Sequence, residues 1–333
     1  MDLVSRLLAG DPAALARAIT LVERDRPAPR DLLAAIHPHT GRARVIGVTG
    51  PPGVGKSTLV DQLAISFRQP HALVGVLAVD PSSPFTGGAI LGDRVRMARS
   101  SADPGIFIRS LATRGQLGGL SQATGDAIRL MDASGRSLIL VETVGAGQAE
   151  VDIMNHAHTV LVVLAPGLGD DVQAIKAGIL EIGHVFAVNK ADRDGADRTA
   201  AELEMMLEMA PDCRAGGWRP PVVRTVARDG RGIPELVRKL DEHWDCRQSE
   251  LDGWCRRQAA AELSETVEAM AGSRLREWAA KSGMWEEVLD AIVGRRLDPR
   301  RGAETLLSHY LDSRPGEDAG SPTGCWTGRR RNT

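Results

Sequence analysis

Residues Gly50-Pro51-Pro52-Gly53-Val54-Gly55-Lys56-Ser57-Thr58 put glycines, one ammonium and two hydroxyls within reach of a single polyanion. The pattern is G-x-x-x-x-G-K-[ST]. Its glycines let backbone N–H groups wrap phosphate oxygens. Lys56 reaches toward β- and γ-phosphates, Ser57 offers a hydroxyl to Mg²⁺, and the helix that follows points its positive dipole end at the same place. The plain alternative is a Gly-rich turn that only shapes a strand–helix junction. The complete motif, directly after the apolar run VIGVT, favours the phosphate-binding loop.

A second group reads a base. Asn189-Lys190-Ala191-Asp192 follows the run HVFAV. A carboxylate there can accept two hydrogen bonds, from the ring N–H and the exocyclic amine of guanine. Adenine has no N–H at that ring nitrogen and no amine on the carbon beside it in that position, so Asp192 would select GTP and GDP over their adenine counterparts. Alone the tetrad could be a capped loop; downstream of a phosphate loop and at a strand end, base recognition is expected. Asp80 ends VGVLAVD and suits Mg²⁺ as a hard oxygen donor, the alternative being a turn-initiating Asp before Pro81. Glu142-Thr143-Val144-Gly145 ends another strand where GTPases carry D-x-x-G: Gly145 can sense the γ-phosphate, and Glu142, a methylene longer than Asp, is expected to meet the metal indirectly. Gln148 is the nearest candidate to orient an attacking water, and a helix cap or polar surface role is the alternative. Asp93, in GGAILGDRVRM, could order over the γ-phosphate or sit on a plain exposed loop. Candidate catalytic residues are thus Lys56, Asp93, Glu142 and Gln148 in an enzyme that hydrolyses GTP with Mg²⁺.

These residues need a scaffold that gathers strand ends. Short β-type runs occur at 45–50, 74–80, 106–112, 137–143, 159–165, 184–190 and 222–227, with segments of helical pattern at 57–68, 120–132, 171–182 and 197–209. Near-continuous apolar strands alternating with helices imply an α/β P-loop NTPase fold, its largely parallel sheet covered on both faces, with ligands at the carboxyl ends of the strands. Leu3, Leu7, Leu8, Leu15, Ile19 and Val22 recur at near-helical spacing in an N-terminal helical arm, 1–40. The GTPase domain is expected over 41–247 and a helical extension over 248–312, broken at Gly272, Gly283 and Gly294. The Gly/Pro/Ser-rich tail, 313–333, reads as disordered.

Bulk properties narrow the class. The chain of 333 residues holds only 3% aromatics, so Leu, Val, Ile and Ala must build its core. A formal charge of −2 argues against a general nucleic-acid or membrane-surface binder. The four cysteines lie far apart with no C-x-x-C, against a disulfide framework or structural zinc. The pairs His37/His39 and His156/His158 lack a third ligand at diagnostic spacing. No apolar stretch approaches the roughly 20 residues of a membrane span, and the acidic, broken start MDLVSRLLAGDPAALA is no signal peptide. A cytoplasmic location is expected.

GPPGVGKST, AVDPSSPFTGGAILGDRVRM, VETVGAGQAE, LAPGLGDDVQAIKAGILE and VNKAD together closely resemble the MeaB/ArgK family of SIMIBI-class GTPases, relatives of the human protein involved in methylmalonic aciduria type A. The resemblance runs from about residue 5 to about 312. It implies a chaperone of adenosylcobalamin-dependent acyl-CoA mutases, commonly methylmalonyl-CoA mutase, that gates cofactor delivery and protects or reactivates the mutase. It also implies a homodimer joined through the C-terminal extension. Carried onto this chain, it makes Asp80 the Mg²⁺ residue, Asp93 part of the first switch, Glu142 to Gln148 the second, Asp192 the guanine residue, and Pro166 to Lys176 a third switch that responds to the partner. If partner contact orders Gly169-Asp170-Asp171, Lys176 or Gln173 could approach the γ-phosphate as an arginine finger does, unless Lys176 only serves an exposed helix face.

The chain departs from the family at Val226-Ala227-Arg228, where a Ser-Ala pair is usual: it loses a loop-ordering hydroxyl while the Ala227 N–H stays available for the guanine carbonyl. The approach MNHAHT carries histidines in place of Met and Asp, and residues 250–311 match weakly. The transport-system kinase name attached to some relatives finds no protein-kinase signature here. Three other readings compete. A metallochaperone GTPase would commonly show His-rich or clustered Cys segments; a P-loop small-molecule kinase fits NKAD and the long loops poorly; a binding module without turnover fits intact Lys56, Ser57 and Asp80 poorly.

Overall fold

Seven aliphatic runs form the strands: β1 (Arg44–Thr49), β2 (Val74–Asp80), β3 (Ile106–Ala112), β4 (Leu138–Thr143), β5 (Thr159–Leu164), β6 (Val185–Val188) and β7 (Val222–Arg224). The computed structural model describes residues 2–24, 29–68, 72–80, 97, 99–112, 119–143, 156–167, 179–209 and 217–313. The strands form one sheet in the order β3-β2-β4-β1-β5-β6-β7, and every described pairing is parallel. A parallel ladder puts the carboxyl ends of β1, β2, β4, β5, β6 and β7 on one edge. β4, β5 and β6 are buried at every position, as expected of strands covered on both faces.

The two faces have separate apolar layers. On one, α4 (Lys56–Phe67) and α8 (Ile233–Arg247) bury Leu59, Leu63, Leu236 and Leu240 against Ile46, Val48, Leu161 and Val163. On the other, α5 (Gly119–Ala133) and α7 (Ala196–Met209) lie with α1 (Leu3–Leu8), α2 (Pro12–Arg24) and α3 (Arg30–Ile36) over Val45, Val160, Val162 and Phe186. The N-terminal helices pack onto the sheet's helical layer: Leu7, Leu15, Ile19 and Ile36 are fully buried. Each such side chain contributes about 1.5–3 kcal/mol relative to exposure. Asp132 on α5 ties the chain between α3 and β1 in place, its carboxylate accepting the N–H groups of Gly41, Arg42 and Ala43. Arg109 on β3 reaches Thr20 and Glu23 of α2. α6 (Ile179–Ile182) precedes β6, and the rest of the expected helix over 171–182 lies outside the described residues.

A second compact unit starts at Gly253, and the first ends at Asp252. Helix α9 (Leu251–Lys281) runs unbroken through Gly272, which corrects the expected interruption: each glycine inside a helix costs only about 1 kcal/mol, and this one of 31 residues carries both Gly253 and Gly272. Gly283 and Gly294 do bracket the next helix, α10 (Met284–Val293). Asp298 caps the last one, α11 (Pro299–Asp312), by accepting from the N–H groups of Arg300 and Arg301. The Trp278 and Tyr310 rings meet edge-on at 5.5 Å between centroids.

Candidate nucleotide-binding site

The phosphate loop leaves β1 at Thr49 and enters α4 at Lys56. Gly50 has φ 139°, and a Cβ there would lie 2.0 Å from the Val163 carbonyl oxygen, so only glycine lets the loop pass this close to β5. Gly55 has φ 95°, and its Cβ would meet Asn189 Nδ2 at 2.6 Å. Lys56 is 6% exposed, and its ammonium donates to the carbonyls of Gly50 at 2.6 Å and Pro51 at 2.9 Å. The charge is thus held inside the loop's own curve, where a phosphate chain would lie.

Ser57, on the first turn of α4, donates its hydroxyl to Glu142 Oε1 at 2.7 Å. Glu142 stands next to last on β4, in register with Val48 of β1, and is 7% exposed. Beside it the hydroxyls of Thr49 and Thr143 meet at 3.1 Å, both buried, linking the root of the phosphate loop to the end of β4. Two hard oxygens from α4 and β4 thus converge at the phosphate edge, a donor set that fits Mg²⁺. Asp80 ends β2, the neighbour of β4 on its other side.

The base side is built around Asn189, 3% exposed. Its Nδ2 donates to Val54 O at 2.9 Å, while its Oδ1 accepts from the Ala227 N–H at 3.0 Å and from Thr225 Oγ1 at 3.2 Å. One amide therefore joins the phosphate loop to the loop after β7. Lys190, at φ 56°, donates its ammonium to Gly53 O at 2.6 Å. Asp192 is one-third exposed, with Arg228 NH2 3.9 Å from its Oδ2. The loop carrying Val226, Ala227 and Arg228 is closed by backbone bonds, Val226 N–H to Arg231 O at 2.9 Å and Asp229 N–H to Val226 O at 3.0 Å.

Residues 15–282 match the family model described as methylmalonyl-CoA mutase-associated GTPase MeaB. The chain belongs to that family. It is a GTPase, and guanine nucleotide is the ligand the family implies. A Pyrococcus abyssi protein with a GTPase name is 49% identical over 313 residues, spanning 93% of this chain and 96% of its own. Escherichia coli GTPase ArgK is 32% identical over 329 residues, with 93% and 97% covered. The mitochondrial methylmalonic aciduria type A homolog of Caenorhabditis elegans is 34% identical over 310 residues, with 87% and 72% covered. The crystal structure of a LAO/AO transport system kinase superposes with a TM-score of 0.70 at 26% identity, covering 93% of this chain and 97% of that one.

Within this MeaB-family fold the phosphate loop, Asn189, Lys190, Asp192 and Val226 to Arg228 follow carboxyl ends of strands on one edge, and Glu142 stands at such an end within β4. Asp93, Gly145, Gln148, Gln173 and Lys176, and the side chain of Asp80, lie outside the described residues. The Ala227 N–H, which the sequence leaves available for the guanine carbonyl, donates to Asn189 Oδ1 at 3.0 Å in this structure. Sequence reasoning also missed Thr225, whose position two residues before Ala227 on the same loop was the available signal. At Val226, where the family's serine hydroxyl is missing, the loop makes a backbone bridge to Arg231 that needs no side chain.

The histidines do something else. The His158 N–H donates to Val45 O while its Nδ1 accepts the Val45 N–H at 2.9 Å. His184 repeats this with Val160, its Nδ1 accepting at 3.0 Å. Each extends the ladder at the amino ends of the strands, opposite the nucleotide edge. Among the described residues no three His, Cys, Asp or Glu side chains group to hold a metal ion. No described helix is long and apolar enough to cross a membrane.

Proposed function

We propose that this GTPase is a chaperone of an adenosylcobalamin-dependent acyl-CoA mutase, methylmalonyl-CoA mutase foremost, and that it gates cofactor loading and protects or reactivates that enzyme in the cytoplasm. The observation that carries the reading is the match of residues 15–282 to the mutase-associated GTPase family, with the identity to the Caenorhabditis elegans homolog in support. The roles of individual residues are part of the proposal. Backbone N–H groups of Gly53 to Thr58 cradle the phosphates, and Lys56 exchanges loop carbonyls for phosphate oxygens. Asp192 accepts from the guanine edge, and Asn189 holds the base loop against the phosphate loop.

Ser57 and Glu142, with Asp80, are the residues that would hold Mg²⁺. When bound, the metal neutralises charge on the β- and γ-phosphate oxygens. Glu142 is the first residue of Glu142-Thr143-Val144-Gly145, so the side chain that meets Ser57 stands at the start of the second switch. Asp93, Gly145, Gln148 and Lys176 complete the switch assignments. Leu263, Val267 and Met270 recur along exposed α9 at 65%, 55% and 39% exposure, and they support a homodimer through the C-terminal helices.

The test passes purified adenosylcobalamin-dependent mutases over the immobilised full chain loaded with a non-hydrolysable GTP analogue or with GDP. A mutase retained to an extent that depends on the nucleotide supports the reading. Failure to retain any such mutase in either state refutes it.

A further inference from the structure

Arg228 lies between two carboxylates and serves one of them. Its Nε donates to Asp229 Oδ1 at 2.8 Å and its NH2 to Asp229 Oδ2 at 3.3 Å, a two-pronged pair along one edge of the guanidinium. Toward Asp192 the same NH2 reaches only 3.9 Å, beyond hydrogen-bond length. Arg231 approaches Asp229 Oδ2 from another side at 3.7 Å. The backbone bonds Val226 N–H to Arg231 O and Asp229 N–H to Val226 O keep these side chains on one tight turn.

The chemistry of the competitors matters. Guanine offers a carboxylate two parallel N–H donors, from its ring nitrogen and its exocyclic amine. A guanidinium offers the same array with a full positive charge, and arginine–carboxylate forks are among the strongest hydrogen-bonded pairs. Arg228 is therefore an internal mimic of the base, within one side-chain rotation of the acceptor the base needs. Its side chain is 77% exposed, so nothing but its ion pairs restrains it.

We propose that Asp229 is a positioning residue for nucleotide selectivity: by holding the Arg228 fork, it keeps Asp192 open to guanine. This rests on the reading of Asp192 as the guanine acceptor. Without Asp229, Arg228 closes a bidentate pair with Asp192, and guanine must displace it. A surface ion pair shifts an equilibrium by roughly up to fivefold, which sets the scale of the effect.

Titrating the full chain with GDP and ADP by calorimetry at low and high salt tests this. Asp229→Ala is expected to bind GDP about threefold to fivefold more weakly than wild type at low salt, with the gap narrowing above roughly 0.5 M salt as the competing pair is screened. Placing Arg228→Ala in the Asp229→Ala background restores the lost affinity, which damage to the turn would not allow. Asp229→Asn, which keeps an acceptor but no charge, falls between. Unchanged GDP affinity in Asp229→Ala overturns the inference, and so does a loss that persists in the double variant. If wild type binds GDP and ADP equally, the reading of Asp192 fails; if wild type prefers GDP and Asp229→Ala matches it, only the role of Asp229 fails.

Discussion

Replacing Asn189 by alanine removes three hydrogen bonds at once from a side chain that is 3% exposed. The Val54 carbonyl and the Ala227 N–H lose their partner, and Thr225 loses an acceptor. A buried group left unsatisfied costs about 1–3 kcal/mol, and water entering the space recovers part of it. The net expectation is about 3 kcal/mol. For a compact unit of this size that lowers the melting temperature by roughly 6–12 °C, at about 2–4 °C per kcal/mol. The same amide joins the phosphate loop to the base loop, so GDP affinity should fall as well, because the two halves of the pocket are no longer held in register. Thr225→Val, which removes one of the three bonds, should cost about 1 kcal/mol. Calorimetric unfolding and a GDP titration on all three proteins measure both effects. An Asn189→Ala protein that melts within about 2 °C of wild type and binds GDP equally would refute the argument that this amide couples the loops.

Three more expectations bear on the site and its frame. Asp192→Asn removes a charged hydrogen bond of about 1.5–3 kcal/mol, so the GTP preference over ATP, at least about tenfold in wild type, should erode while the fold persists; equal affinities in wild type would end the guanine assignment. Burial, with the nearby charges of Arg247 and Arg44, depresses His158 to about 4, and burial, with His184, Arg247 and Arg44, depresses His243 to about 2. The unfolded chain therefore binds these protons first: stability is full above about pH 6.5 and falls by up to roughly 1.4 kcal/mol per pH unit per histidine below it. Urea unfolding at pH 7 and pH 5 checks this, and His158→Asn, whose Oδ1 can still accept the Val45 N–H, should flatten the slope; a slope unchanged in that variant contradicts the assignment. Lys176→Ala should remove most of the acceleration a cognate mutase gives to GTP turnover, and equal acceleration in variant and wild type would take Lys176 out of the trigger.

The sheet was legible in the sequence because strands buried on both faces read as unbroken aliphatic runs. All seven strands appear where such runs were identified, with ends shifted by a few residues at most. The phosphate loop and NKAD were legible because their spacing is imposed by the ligand. Links made across distant segments left no local trace: Ser57 to Glu142, Thr49 to Thr143, and Asn189 to Thr225 depend on which strand lies beside which. The packing of α1 and α2 was hidden for the same reason, since their periodicity shows an apolar face but not what covers it. His156 and His158 look like a metal pair in one dimension. Only strand register shows that His158 instead caps Val45. Gly272 misled because a long helix tolerates an occasional glycine, as it also does Gly253.

The claim that this GTPase works on an acyl-CoA mutase is tested most directly by steady-state GTP turnover of the full chain, alone and with saturating purified adenosylcobalamin-dependent mutase. The account predicts slow turnover alone and a severalfold or greater rise with the cognate mutase. Turnover that stays the same whichever such mutase is added would contradict it.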